Sequence, residues 1–312
     1  VLRLTETADL PSGFGPSVVT IGNFDGVHLG HRTLLAAVVQ RARREGLASV
    51  AVTFEPHPLA VLHPDHAPVL VSSLKDRLAT MEQIGLDAVL VMPFTLELAA
   101  MSPRDFVREV FVDGLRAHAV VVGRDTRFGA RNEGDVDTLR ELGAEFGFEV
   151  QVQEDVGEGG RYSSTEVRSD LVAGDVAAAS RILGRPHAVT GMVVRGAQRG
   201  RELGYPTANL AQDATGFVPA DGVYAGWLVR IQHGGERLPA AISVGTNPTF
   251  DGTQRTVEAY VLDRTDLDLY DEVVAVEFTD RLRSNVRFDS IEPLIEQMGH
   301  DVDRARALLT GQ

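Results

Sequence analysis

Two histidines three residues apart, His28 and His31, follow the glycine-rich turn Gly22-Asn23-Phe24-Asp25-Gly26-Val27. On a helix, residues three apart share one face. A helix start offers free N–H groups and the positive end of the dipole, which together favour a phosphate. Imidazoles placed there can donate hydrogen bonds to a phosphoryl group that gains charge in a transition state. Gly30, between the two, lets a phosphate chain approach the backbone closely. Taken alone, the pair is also compatible with a solvated helix start, because short motifs recur without function. A zinc site is the weaker alternative, since no third ligand is evident nearby.

A second dense segment runs from Arg195 to Asn209. Gly196, Arg199, Gly200, Arg201 and Gly204 precede Tyr205-Pro206-Thr207-Ala208-Asn209, and such glycines and arginines can wrap a triphosphate. Thr207 and Asn209 are two apart and so point the same way on a strand. Their oxygens are hard ligands of the kind Mg²⁺ takes alongside nucleotide phosphates and water. A glycine-rich turn before a polar strand face is the plain alternative. A third segment, Ser163-Ser164-Thr165-Glu166-Val167-Arg168, has capping-box spacing between Ser163 and Glu166 and starts a helix. Hydroxyls and N–H groups at that start can hold phosphate oxygens, and Arg168, one turn in, can neutralise them.

Apolar runs of strand type at Ser17–Ile21, Ala48–Phe54, Ala88–Met92, Ala119–Val122 and Glu149–Val152 alternate with helical spacing at Leu29–Arg44, Leu74–Ile84, Pro103–Val112 and Val136–Phe146. This alternation predicts a Rossmann-like parallel sheet covered by helices on both faces. The glycine turn before His28 then lies at the carboxyl end of a strand, where ligands of such sheets sit. Helices are expected over Ser164–Val172 and Asp175–Leu183. From Val189 the texture changes to short strands around Met192–Val194, Tyr224–Ile231, Ala240–Val244, Val257–Leu262 and Val273–Phe278, the pattern of a small antiparallel barrel. Two helices, Ile291–Met298 and Val302–Leu309, are expected at the end. The boundary is expected near Gly184-Arg185-Pro186, giving domains 1–185 and 186–312. Within the barrel, Val257, Ala259 and Val261 share one face, so alternation puts Glu258 on the polar face as a solvated residue.

The chain has 312 residues, 44% hydrophobic and 24% charged, with a formal net charge of −14 and no cysteine. Length and composition suit two globular domains. The charge disfavours nucleic acid and anionic membranes as partners, since no run of Lys and Arg offsets it. Without cysteine, disulfides and thiolate chemistry are excluded. No apolar stretch approaches the ~18 residues of a membrane span. The first residues lack the order of a secretory signal, so a cytoplasmic setting is expected. Oligomeric state is not legible.

The segment Gly22–His31 resembles the nucleotidyltransferase signature His-x-Gly-His after a strand. In its longer form it is similar to that of the bacterial bifunctional riboflavin kinase/FMN adenylyltransferases, the FAD synthetases. Thr53-Phe54-Glu55-Pro56-His57-Pro58, Val122-Gly123-Arg124-Asp125 with Arg127-Phe128-Gly129, and Ser163–Arg168 follow the same family's order. So do Gly196–Asn209, Asp221–Gly226, Ser243–Phe250 and the Val257-Glu258 strand. The resemblance implies two reactions. A barrel converts riboflavin and ATP to FMN, with Glu258 as catalytic base and Thr207 and Asn209 on Mg²⁺. An α/β domain converts FMN and a second ATP to FAD and pyrophosphate, with His28 and His31 as catalytic residues. It further implies ligand contacts at Gly22, Phe24, Asp25, Gly26, Gly30, Asp125, Arg127, Ser163, Ser164, Thr165 and Arg168 in the first domain. In the second it implies Gly196, Arg199, Gly200, Arg201, Gly204, Pro206, Asn247 and, on the flavin side, Arg283. Thr126 stands where the family carries an aromatic residue. His57 is open between a substrate contact and a rigid turn. Two further readings stand beside this one: an adenylyltransferase whose barrel binds flavin without catalysis, and a non-enzymatic flavin carrier.

Overall fold

In the computed structural model the described residues are 1–157, 160–196, 203–249, 252–264 and 266–311, and for 247–249 and 252–254 only the backbone is described. Arg199, Gly200 and Arg201 therefore lie outside the described residues, as does the side chain of Asn247. Contacts divide the chain into two compact units, Val1–Val69 with Leu74–Ser163, and Leu70–Ser73 with Ser164–Gln312.

The valine-rich runs of the first unit form strands β1 (Leu2–Leu4), β2 (Ser17–Ile21), β3 (Ala48–Glu55), β4 (Ala88–Pro93), β5 (Ala117–Gly123) and β6 (Glu149–Gln153). They pair in the order β1-β4-β3-β2-β5-β6, parallel throughout. Along each inner strand, neighbouring residues feed opposite faces. Val19, Val50, Val52, Leu90 and Val120 pack with Phe106, Phe111, Leu139 and Leu142 on one side. Val18, Ala51, Val89, Ala119 and Val121 pack with Leu35, Val38, Leu78 and Met81 on the other. The two-faced burial needs helices on both sides, as the alternation predicts.

Those helices are α1 (Leu29–Glu45), α2 (Pro58–Leu62), α3 (Leu74–Ile84), α4 (Leu96–Ala100), α5 (Pro103–Phe106, continuing as a π-helical stretch Val107–Gly114) and α6 (Val136–Phe146). Strand order reverses beside β2: the chain moves outward through β3 and β4, then returns to β5. The crevice at the carboxyl ends of β2 and β5 is the switch point where such sheets hold ligands.

The second unit starts with α7 (Ser164–Ala173) and α8 (Val176–Leu183). Strands β7 (His187–Val194), β8 (Ala208–Leu210), β9 (Gly222–Arg230), β10 (Glu236–Thr249), β11 (Gly252–Val261) and β12 (Val273–Arg283) then close into an antiparallel barrel ordered β10-β11-β8-β7-β12-β9. Its interior holds Val189, Tyr224, Leu228, Ile242, Val244, Val276 and Phe278, all fully buried. At Gly226 a side chain has no room, because a Cβ there would meet the Glu277 carbonyl and the Ile242 side chain. Besides Leu70–Ser73, the unit takes in the chain from Ser164 onward. The apolar faces of α7 and α8, with Val167, Leu171, Ala179 and Leu183 buried, belong with the barrel, and Arg281 of β12 donates to the Ala173 carbonyl at 3.1 Å.

One difference from the pattern is the terminal helix. Gly299-His300-Asp301 suggests a break, but Ile291–Thr310 is a single helix, α9. A helical glycine costs only about 1 kcal/mol. Asp301 is buried there and receives both Nε (2.9 Å) and Nη2 (2.7 Å) of Arg283, which anchors the middle of α9 to β12.

His187, at the start of β7, is buried and donates from Nε2 to the Phe217 carbonyl at 2.6 Å. Desolvation outweighs that bond and, with Arg185 adding to it, lowers its pKa from 6.5 to about 4. The folded barrel keeps the ring neutral, whereas the unfolded chain binds a proton below pH 6.5. Stability should therefore fall as pH drops from 6.5 toward 4, by about 1.4 kcal/mol per pH unit. Urea unfolding followed by Trp227, the chain's one tryptophan, should show that slope, and His187→Gln should flatten it.

Candidate active sites

At the carboxyl end of β2 the chain enters a buried turn. Phe24 (φ 50), Gly26 (φ 74) and Val27 (φ 41) all take positive φ. Phe24 and Val27 are sealed in the core below α1, and Asp25 is buried with them. Gly22 leaves space for the Phe24 ring, which a Cβ would approach to 3.1 Å.

His28 is not the first residue of the helix but its N-cap, in extended backbone (φ −67, ψ 172). Its Nδ1 accepts from the His31 N–H at 3.4 Å, so a neutral ring carries its proton on Nε2 as a donor. The two imidazoles stack with centroids 3.6 Å apart at 21°, and the Phe24 ring meets His31 edge-on at 5.3 Å. Gly30 leaves room for this stack: a Cβ there would lie 3.1 Å from His28 Cε1. Desolvation, then His28 and Arg161, hold His31 well below the ordinary imidazole pKa. Among the described residues its Nδ1 is buried without a hydrogen-bond partner.

The end of β3 adds a network that spacing did not reveal. Arg77, in the first turn of α3, is 2% exposed. Its Nη1 donates to the Asn23 carbonyl at 2.8 Å and its Nη2 to Glu55 Oε2 at 2.6 Å. Thr53 Oγ1 donates to the same carbonyl at 3.2 Å. The Asn23 amide meets His57 Nε2 at 3.3 Å, and the Leu59 N–H donates to His57 Nδ1 at 3.2 Å, so His57 caps α2 and borders the turn at once. The available signal for Arg77 was a charge at i+3 from Leu74 and i−4 from Met81, on the apolar stripe of α3.

After β5, Asp125 pairs with Arg161, and Thr126 closes a turn by donating its N–H to the Gly123 carbonyl at 3.2 Å. Arg127 is 3.2 Å from Asp135, the N-cap of α6. The Thr138 N–H and hydroxyl, with Arg127 adding to them, hold the Asp135 carboxyl below its usual range. Ser164 opens α7 directly after Ser163, and Arg168 donates to Thr165 Oγ1 at 3.4 Å.

In the barrel, register does what alternation could not. Glu258 of β11 pairs with Asn209 of β8. Thr207 Oγ1 donates to Glu258 Oε2 at 3.2 Å, and Asn209 Nδ2 donates to Thr207 Oγ1 at 3.2 Å. Three hard-oxygen side chains thus converge on one outer face while Val257 and Ala259 point inward. Gly196 closes the cradle: a Cβ there would lie 2.5 Å from Asn209 Oδ1. Gly204 takes φ +88 in the turn before Pro206. Arg283, expected on the flavin side, is engaged with Asp301.

A family model for FAD synthetase matches residues 12–166, and one for riboflavin kinase matches residues 183–309. The bifunctional riboflavin kinase/FMN adenylyltransferase of Escherichia coli is 38% identical over 291 residues, covering 93% of this chain and 91% of that one. The chain belongs to the bifunctional riboflavin kinase/FMN adenylyltransferase family. Members from Pseudomonas fluorescens (40% identical over 293 residues, 93% and 92% covered) and Bacillus subtilis (33% over 294 residues, 93% and 91%) agree. A crystal structure of a macrolide-efflux protein from Streptococcus pneumoniae has the same fold, with a TM-score of 0.87 and 31% identity over 98% of both chains. In this chain, the FAD synthetase match spans β2 to β6 of the parallel sheet and the riboflavin kinase match spans the barrel.

Gly30→Ala separates fold from geometry. Alanine favours a helix over glycine by about 1 kcal/mol, so stability should not fall. The added Cβ shifts the His28 ring by a few tenths of an ångström, and FAD formation from FMN should drop several-fold, up to about 10-fold. Thermal unfolding and the two activities, measured on one preparation, check this; unchanged FAD formation removes the stack from the mechanism.

Proposed function

We propose that the two activities of this chain run on the two sites described. Adenylyl transfer uses the Gly22–His31 turn, Asp125 and Arg127. An FMN phosphate oxygen attacks the α-phosphorus of ATP, the bond to the β-phosphate oxygen breaks, and pyrophosphate leaves. His28, with its Nε2 proton, donates to the charge developing on the α-phosphoryl oxygens. His31 stays neutral behind it and fixes its plane by stacking. An open depression of about 400 Å³ lined by Leu62 of α2, Leu96, Ala99 and Ala100 of α4, and Ala130, Arg131 and Glu133 lies among the segments that follow β3, β4 and β5.

Phosphorylation of riboflavin uses the barrel face. Glu258 takes the proton of the 5′-hydroxyl as that oxygen attacks the γ-phosphorus and ADP leaves. The observation that carries this reading is the β8–β11 register, which sets the Glu258 carboxylate against the Thr207 hydroxyl. Mg²⁺ fits the site, because Thr207, Asn209 and Glu258 offer hard oxygens only and Gly196 leaves Asn209 Oδ1 its space. When bound, the cation supplies charge to offset that of the phosphate chain. The glycine-arginine loop at Gly196–Gly204 and Asn247 complete the ATP and riboflavin contacts, with Arg283 setting the flavin side through the anchored helix α9.

No helix among the described residues is long and apolar enough to cross a membrane. That, a cysteine-free chain and ATP-dependent chemistry support a cytoplasmic setting.

Chromatography of reactions with riboflavin and Mg²⁺-ATP should show FMN first and FAD after it. Glu258→Gln should lower FMN formation at least 100-fold, the scale of a lost general base, and leave FAD formation from supplied FMN intact. FMN formation that survives this change would count against Glu258 as the base.

A further inference from the structure

We infer that Arg77 is a positioning residue for adenylyl transfer, holding the ends of β2 and β3 in the one arrangement that presents the His28–His31 stack. Its surroundings make it an improbable structural residue on ordinary grounds. It is a cation in the first turn of a helix, where the dipole opposes positive charge. It sits on the apolar face between Leu74 and Met81, and its guanidinium is almost wholly buried. A buried charge persists only where it is paired and hydrogen-bonded.

Arg77 is paired, and its partners lie in the Gly22–His31 turn and at the end of β3 beside it. Nη1 donates to the Asn23 carbonyl (2.8 Å) and reaches Thr53 Oγ1 (3.5 Å), and Nη2 donates to Glu55 (2.6 Å). Asn23 is the residue between Gly22 and the positive-φ Phe24, so its carbonyl orients the peptide from which the strained turn departs. The Asn23 side chain meets His57, which caps α2. One planar fork therefore joins three pieces of chain, the β2 turn, the end of β3 and the start of α3. A lysine reaches one of these acceptors but not both, because only the guanidinium presents a rigid pair of donors. Among the described residues, the Nε of Arg77 is buried without a hydrogen-bond partner. The guanidinium is therefore held by its two terminal nitrogens.

The inference rests on the reading of the Gly22–His31 turn as the adenylyl site, and the experiment separates the two. Arg77→Lys, Arg77→Met and His28→Ala are prepared in the full chain. FMN-to-FAD turnover is measured with KM for ATP and FMN, and riboflavin kinase activity on the same samples reports the intact second unit. Misplacement by about 1 Å costs on the order of 100-fold in rate. The expected result for Arg77→Lys is a kcat for FAD formation reduced about 10- to 100-fold, with KM for ATP within threefold of the parent and kinase activity unchanged. Arg77→Met should be lower still. If Arg77→Met fails to unfold cooperatively, Arg77→Lys, which keeps the charge, decides. A kcat for Arg77→Lys within twofold of the parent, with His28→Ala inactive, overturns the role of Arg77 and leaves the site reading standing. A fully active His28→Ala overturns the site reading itself.

Discussion

The histidine pair depends on a backbone that passes through positive φ at Phe24 and Val27. For a β-branched residue such as Val27 that conformation is an outlier, and each such position costs of order 1–3 kcal/mol. The surroundings supply the compensation. Phe24 and Val27 are driven into the core between α1 and the sheet. The carbonyl just ahead of Phe24 is held from two sides, by Arg77 and by Thr53. Relaxing the turn would expose an aromatic ring, take one acceptor from a buried guanidinium, and separate the imidazoles. Strain here is the consequence of placing two rings in a stack at a strand end, which a regular turn does not do.

Under the proposed function the two units each hold a nucleoside triphosphate, by different geometry. In a parallel sheet all the strand-to-helix connections emerge on one edge, so residues far apart in sequence meet there without specific pairing. Gly22, Glu55 and Asp125 come from three different strand ends. In the antiparallel barrel no such edge exists. Its cluster is built across the ladder, where register alone sets Glu258 opposite Asn209. The first kind of site tolerates loop changes. The second fails with a single slip, because a shift of one residue sends Glu258 into the barrel and a valine or alanine outward.

These differences explain what the sequence revealed. β2, α3 and α6 lie where periodicity puts them, because each is long and strongly patterned or bounded by glycine. β1, with three residues, and α2 and α4, with five each, are too short to show a period. α9 reads as two helices because Gly299 and Asp301 look like a break, and the partner that makes Asp301 a core residue sits on another strand. The histidine pair was legible by spacing, although His28 lies outside the helix and touches His31 by stacking from the cap. Alternation correctly puts Glu258 on the outer face. It carries nothing about the Thr207 hydroxyl brought there by another strand, and only the family resemblance singled that carboxylate out. Arg77 was readable solely as an anomaly, one charge in an apolar stripe.

Burial sorts the arginines of a chain that carries a formal charge of −14 and yet handles anionic substrates. Arg77 and Arg283 hold carboxylates from buried or half-buried positions, and Asp301 is only 8% exposed. Breaking such a pair strands a charge in a poorly solvated place, so these residues act as framework. Arg161 is 41% exposed and Asp125 62% exposed, and Arg127 faces Asp135 at the surface. Exposed pairs contribute little to stability, so an arriving phosphate can take such a guanidinium from its carboxylate at small cost. The doubly charged phosphate then offers a stronger bidentate partner than the carboxylate it displaces. Under the proposed function a strongly acidic protein thus needs no standing basic patch, because exposed ion pairs such as Arg127–Asp135 can give up their cation to a phosphate at small cost.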